Sequence, residues 1–218
     1  MSDYGLQIKN SSGGIQIDST YRNYSLWDSG TYVYTYGSTP TFKPTNGVPI
    51  FVWQPISTSY HTSYGLKQSG GNYTGVYFGD PVNQPINWAV FTEQPVNTLP
   101  QYGLVIRNAN NEVVFSSDER YLKFVGVYPI SFLASSHQDI SVVDADNNYF
   151  FMTPYAETGY AKNGMHVYPA QLLKLSKTKL RAAYAMPGGT TTAESDPIIT
   201  NDTSSWTPYH GTLLEVSF

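Results

Sequence analysis

Few residues in this chain are typed and spaced for chemistry. His61, His137, His166 and His210 stand far apart, and none belongs to a histidine and carboxylate set with metal-ligand spacing. They read as turn and surface histidines rather than as a zinc centre or a triad. Asp144-Ala145-Asp146-Asn147-Asn148 alternates oxygen groups as a calcium loop does, yet it lacks the turn glycine and the distal bidentate glutamate. Set between two apolar runs, it reads as a hairpin turn. Carboxylates for glycoside hydrolysis could come from Asp118, Glu119, Asp139, Glu157 or Glu194, but nothing in their spacing sets two of them across a cleft. There is no nucleophile elbow, phosphate loop or dinucleotide fingerprint. The expectation is a protein that is not an enzyme, with no catalytic residue, no metal site and no cofactor.

Aromatic side chains are abundant instead. Residues 31–36 alternate so that Tyr32, Tyr34 and Tyr36 share one face of a strand, and Trp53, Tyr60, Tyr64, Tyr73, Tyr77 and Trp88 add to the load. Buried, such rings are core. Exposed, each offers rigid apolar area with a polar handle, which suits a protein partner or a sugar face. The Tyr32, Tyr34, Tyr36 row is the candidate binding row, for a protein interface or for a host surface glycan or receptor.

The elements that must position these residues are strands. The chain has 218 residues, 40% hydrophobic but only 13% charged, with 19 Tyr, 18 Gly and 14 Pro. A surface poor in charge and a sequence rich in aromatic residues and turn formers fit an all-β protein. The net charge of −4 offers no footprint for a phosphate backbone, so nucleic acid is not an expected partner. There is no cysteine, so packing alone must hold the fold. The sequence predicts no membrane span and no signal peptide.

The strongest pattern is an internal repeat. Tyr4, Gly5, Leu6, Ile8, Asn10, Ser19 and Arg22 recur 98 residues later as Tyr102, Gly103, Leu104, Ile106, Asn108, Ser117 and Arg120. Apolar residues are also kept in step, with Ile15, Ile17 and Leu26 meeting Val113, Phe115 and Phe124. Each copy reads as a hairpin, two apolar-alternating runs around a turn cluster. The repeated arginines are expected to fix how the next strand leaves. Further strands are expected at residues 48–53, 73–78, 86–91, 125–133, 140–143, 149–152 and 211–218, with a linker at 94–100 and a long loop at 186–205. A helix competes with a strand only over residues 171–184, and Pro129 is expected to bulge or split its strand. The fold expected is all-β, with two tandem β-sandwich modules, immunoglobulin-like or jelly-roll-like, at residues 1–97 and 98–218.

The repeated Tyr-Gly-Leu-x-Ile-x-Asn, with its following apolar run and terminal Arg22 or Arg120, resembles a family of small tail proteins of long-tailed bacteriophages. The resemblance covers each hairpin copy and the Trp88-Ala89-Val90-Phe91 run. The second copy departs from it where Asn111 stands for glycine and Ser116 for aspartate. It implies a virion component, a minor tail protein of the tail tip or tail fibre, with β-sandwich modules that contact other tail proteins such as a hub, a fibre or neighbouring copies. A symmetric assembly such as a trimer or ring follows from that setting, as does assembly in the host cytoplasm. The alternatives are a glycan- or receptor-binding adhesin acting in host attachment and, third, a carbohydrate-active enzyme. No catalytic residues come with the resemblance.

Overall fold

The computed structural model describes residues 7–9, 15–18, 23–33, 35, 38–56, 62–79, 85–93, 102–132, 137–153, 170–184 and 209–218. Among these every regular element is a strand. In chain order they are β1 (Gln7–Lys9), β2 (Ile15–Asp18), β3 (Ser25–Val33), β4 (Thr41–Thr45), β5 (Ile50–Trp53), β6 (Thr62–Ser69), β7 (Asn72–Gly79) and β8 (Pro85–Thr92). They continue as β9 (Val105–Arg107), β10 (Val113–Ser116), β11 (Lys123–Phe132), β12 (His137–Ser141), β13 (Tyr149–Thr153), β14 (Ala170–Ser176), β15 (Lys179–Tyr184) and β16 (Tyr209–Ser217). All named pairings are antiparallel.

The architecture is a sandwich-like stack of antiparallel sheets. A six-stranded sheet runs β11-β16-β13-β5-β8-β3, and two three-stranded sheets run β4-β7-β6 and β12-β15-β14. Two further hairpins are β1-β2 and β9-β10. One buried cluster takes Phe51, Trp53, Trp88, Val90, Ile130, Phe150 and Leu213 from the large sheet. It adds Phe42 and Val76 from one small sheet, and Ile140, Leu172, Leu180 and Ala182 from the other. Burying each large apolar side chain there contributes on the order of 1.5–3 kcal/mol. Phe51 stacks on two tryptophans, 6.4 Å from the Trp53 ring and 6.0 Å from that of Trp88.

The repeat extends well beyond the hairpins. In each half the first strand after the hairpin pairs with the last, the last pairs with the third, and the second, fourth and fifth form the small sheet. Pairing of the first strand with the last is a jelly-roll-like feature. Residue registers agree as well. Leu26↔Phe91, Asp28↔Val90, Ser29↔Ala89 and Thr31↔Asn87 are matched by Phe124↔Val216, Gly126↔Glu215, Val127↔Leu214 and Pro129↔Thr212. Even the bulge recurs, between Leu26 and Asp28 and between Phe124 and Gly126.

The halves are joined rather than merely strung together. β13 pairs with β5 at Phe150↔Trp53, in the middle of the large sheet. Leu26 N–H donates to the Arg120 carbonyl at 2.7 Å, and Leu122 N–H donates to the Tyr24 carbonyl at 3.0 Å. Because Leu122 is the repeat counterpart of Tyr24, this antiparallel contact lies on a local pseudo-twofold, the geometry of an isologous interface. The change of half expected at residues 97–98 interrupts neither the six-stranded sheet nor its buried cluster.

Residues 171–184, where strand competes with helix in the sequence, form strands β14 and β15, because both faces of the pair are apolar: Leu172, Leu180 and Ala182 enter the main core, and Leu173 and Ala183 a second cluster. Several other local expectations change. The strand through Pro129 is unbroken, and its bulge falls instead between Phe124 and Gly126. The turn at 144–148 does not close a hairpin, since β12 and β13 lie in different sheets and the turn crosses between them. The strand bearing Tyr32 begins at Ser25, pulled through Trp27-Asp28-Ser29-Gly30 by its ladder to β8. Strands β4 and β6 carry no clear alternation; Pro44 is tolerated because β4 is a sheet edge.

Both edges of the large sheet are tied to a small one. On β3, Asp28 Oδ2 accepts the Lys43 N–H at 2.8 Å, and the Trp27 indole donates to the Lys43 carbonyl at 2.9 Å. On β11 the side chain of Gln138 acts as a short extra strand: its Oε1 accepts the Ser131 N–H at 2.7 Å, and its Nε2 donates to the Pro129 carbonyl at 3.2 Å. Such devices blunt an edge against unwanted pairing.

Candidate functional site

Repeated polar residues of the second hairpin shape its turn and closure. Asn108 Oδ1 accepts the N–H groups of Asn110 and Glu112, both at 3.0 Å, and its amide donates to Glu112 Oε2 at 2.8 Å. Asn111, which stands where the first copy has Gly13, adopts φ 65°, a left-handed conformation that asparagine enters more readily than most residues. Gly103 sits at φ 146°. Ser117 closes the hairpin, its Oγ accepting the Leu104 N–H at 3.1 Å and its N–H donating to the Leu104 carbonyl at 2.9 Å. The repeat is thus a hairpin recipe. Tyr102 is 84% exposed and Leu104 is exposed, while the Arg120 carbonyl holds Leu26 at the seam between the halves. Tyr4, Gly5, Leu6 and Arg22 lie outside the described residues.

Of the tyrosine row, Tyr32 is half-buried, packs against the core and shares a 2.7 Å hydrogen bond with Ser38 Oγ. Tyr34 and Tyr36 lie outside the described residues.

The most elaborate polar centre surrounds Glu215, which is fully buried on β16. Its Oε1 accepts from Asp144 N–H and Asn148 Nδ2, both at 2.7 Å. Its Oε2 accepts from the Tyr128 hydroxyl at 2.6 Å and from Val143 N–H at 2.8 Å. Burial pushes the carboxyl pKa up, but the bonds from Asn148, Tyr128, Val143 and Asp144 together pull it below its ordinary value. Burial and the bond to Glu215 push the Tyr128 phenol up to about 12, so it stays a donor. Gly126 makes room for that phenol, because a Cβ there would overlap the Tyr128 ring and hydroxyl. With its oxygens filled by protein donors, Glu215 is placed to clamp the crossing turn to the sheet. The sequence signal was a lone carboxylate inside Leu213-Leu214-Glu215-Val216.

The turn itself follows the same logic. Asp144 accepts the N–H groups of Asp146 at 3.0 Å and Asn147 at 3.2 Å, and its Oδ2 takes the Asn147 amide at 2.9 Å. Lys177 lies 3.4 Å away. These contacts, the side-chain bond from Asn147 foremost, hold the Asp144 pKa low despite some desolvation. Asp146 pairs with Lys174 at 2.9 Å. Asp139 takes Arg181 at 2.7 and 3.3 Å, which lowers its pKa. Among the described residues no group of three or more His, Asp or Glu is placed to hold a metal ion, and no helix is long and apolar enough to cross a membrane.

Missed by sequence reasoning is an apolar outer face on the second half of the large sheet. Phe124 and Val127 on β11 are 61% and 62% exposed, and Pro129 beside them is exposed as well. They share this face with half-buried Leu214 and Phe151, which pair across the sheet with each other. Comparison with family models, with characterised proteins and with solved structures gives no match.

Proposed function

We propose that this protein is a structural or adaptor component of a bacteriophage tail tip or tail fibre, working through protein-protein contacts in the virion. The observation that carries the reading is what the repeated motif does. Asn108, Asn111 and Ser117 serve the second hairpin's own turn and closure, and the backbone carbonyl of Arg120 joins one half to the other. A duplicated scaffold in which the carboxylates of Asp28, Asp139, Asp144, Asp146 and Glu215 are taken up by its own backbone, side chains and cations supports a building block more than a reaction centre. The resemblance of the motif to tail proteins supplies the setting. The adhesin reading draws less support, since Tyr32 turns its ring to the core and its hydroxyl to Ser38.

The test is direct. In virions of a phage carrying this chain, antibodies raised against it should label the tail end, and a cryo-electron microscopy map of that region should hold density for its six-stranded sheet. A side-chain-resolution map of the complete tail with no volume that fits the chain refutes the proposal.

A further inference from the structure

The two halves share their registers, so their surfaces can be compared position by position. On the outer face of the first half stand Ser29, Thr31 and Asn87, with Thr31 Oγ1 donating to Asn87 Oδ1 at 2.9 Å and the Asn87 amide donating to Gln54 at 2.9 Å. Their counterparts in the second half are Val127, Pro129 and Thr212, and the partner of Val127 is Leu214 where Ser29 has Ala89. The same fold position is a hydrogen-bonded polar surface in one half and an apolar one in the other. A need for solubility alone is met by the first solution. The second leaves Phe124 and Val127 largely exposed.

We propose that this face, centred on Phe124, Val127, Pro129 and Leu214, is a self-association surface that packs against the same face of a second copy of the chain. It is continuous with the seam that already joins two copies of this unit within the chain. Phe124 pairs with Val216, which belongs to the outer cluster of Val52, Ala89 and Phe91 that is lined by Tyr24, Leu26, Leu122, Phe151 and Phe218. The patch extends a surface by which this fold already recognises its own duplicate. None of these patch residues is charged, so the face can meet its own copy across a twofold without burying an unpaired ion, the condition an isologous contact must satisfy. Edge-to-edge pairing is not the mode, because Gln138 occupies the β11 edge at Pro129 and Ser131. This inference stands apart from the tail reading, since self-association of the isolated chain and location in a virion are measured separately.

The absence of cysteine makes the test clean. Val127→Cys and Ser29→Cys place single thiols at equivalent positions of the two halves. A short bismaleimide should link the Val127→Cys chain into dimers and leave Ser29→Cys monomeric. By sedimentation, the wild-type chain should show a dimer whose share grows with concentration. Val127→Lys should weaken it by roughly tenfold or more, as a charge buried in such a contact requires. Val127→Ser, which installs the first half's own residue and cannot strain the strand, should weaken it several-fold with unchanged thermal unfolding. A wild-type monomer throughout, equal cross-linking at both positions, or a dimer indifferent to Val127→Ser and Val127→Lys alike overturns the proposal and leaves the face to a different partner.

Discussion

Replacing Glu215 by glutamine tests whether the buried carboxylate is the clamp that fixes the crossing turn. The variant keeps the volume and one acceptor oxygen. Turned so that this oxygen meets Asp144 N–H and Asn148 Nδ2, it sets its NH₂ against Val143 N–H and the Tyr128 hydroxyl. Tyr128 can rotate its proton and accept, but the Val143 N–H cannot. One buried donor is left without an acceptor, costing about 1–3 kcal/mol, and the remaining bonds fall from charge-assisted to neutral strength at about 1 kcal/mol each. The expected loss is about 4–6 kcal/mol, a large part of the stability of a domain. Because the folded carboxyl pKa lies below its ordinary value of 4.5, the carboxylate's contribution is complete above that value and is lost as pH falls through the folded pKa. Urea unfolding of both proteins across acid to neutral pH should show a gap that is widest near neutrality and narrows as the wild-type carboxylate protonates. A gap below 1 kcal/mol at neutral pH, or one that stays constant down to strong acid, refutes the reasoning.

Gly126→Ala should displace the Tyr128 ring and destabilise by about 1–3 kcal/mol, read from the urea midpoint, because the added Cβ overlaps that ring. Asn111→Ala should cost about 1 kcal/mol and Asn111→Gly little or nothing, since the site holds φ 65°; equal losses for both would show that the backbone conformation is not the cause. Phe150→Ala, at the pairing that joins the halves, should cost about 3–5 kcal/mol, and calorimetry of the wild-type chain should show one transition because the halves share a sheet and a core. Asp139→Asn should cost under about 1 kcal/mol and lose its effect in high salt, because the pair with Arg181 is at the surface.

The sequence exposed the hairpins because their information is local. Turn residues, alternation and a second copy for comparison sit within a few residues of one another, and the pairings Ile8↔Ile17 and Ile106↔Phe115 are those the repeat demands. The joining of the halves was not legible, since it rests on Trp53 meeting Phe150 and Leu26 meeting Arg120, contacts between residues about a hundred positions apart with no local mark. The full extent of the duplication was hidden too. Val90 and Glu215, or Gly30 and Tyr128, share no chemistry, and only the ladder shows that each pair occupies one position. The 144–148 turn misled because Asp-Ala-Asp-Asn-Asn suits a hairpin and a crossing turn equally well, and sheet membership is decided by partners elsewhere.

The equivalence also explains why the buried carboxylate is where it is. In the first half the cross-strand pair Asp28↔Val90 puts the carboxylate on β3, where its Oδ2 takes the N–H of Lys43 on the strand that opens the small sheet. In the second half the same pair is Gly126↔Glu215, and the carboxylate on β16 takes the N–H groups of Val143 and Asp144, just past the corresponding strand. The charge has changed strands while its task has not. The exchange requires the other changes found beside it. With the edge position emptied to glycine, a tyrosine ring covers the gap and supplies a further donor to the relocated charge, and Asn148 supplies another. A single substitution toward the first half's pattern, Glu215→Val, therefore strands four donors at once and should cost more than Glu215→Gln. Adding Gly126→Asp and Tyr128→Gly to it rebuilds the first half's arrangement and should recover part of that loss. Strict additivity of the three changes would mean that the two halves do not solve the same problem.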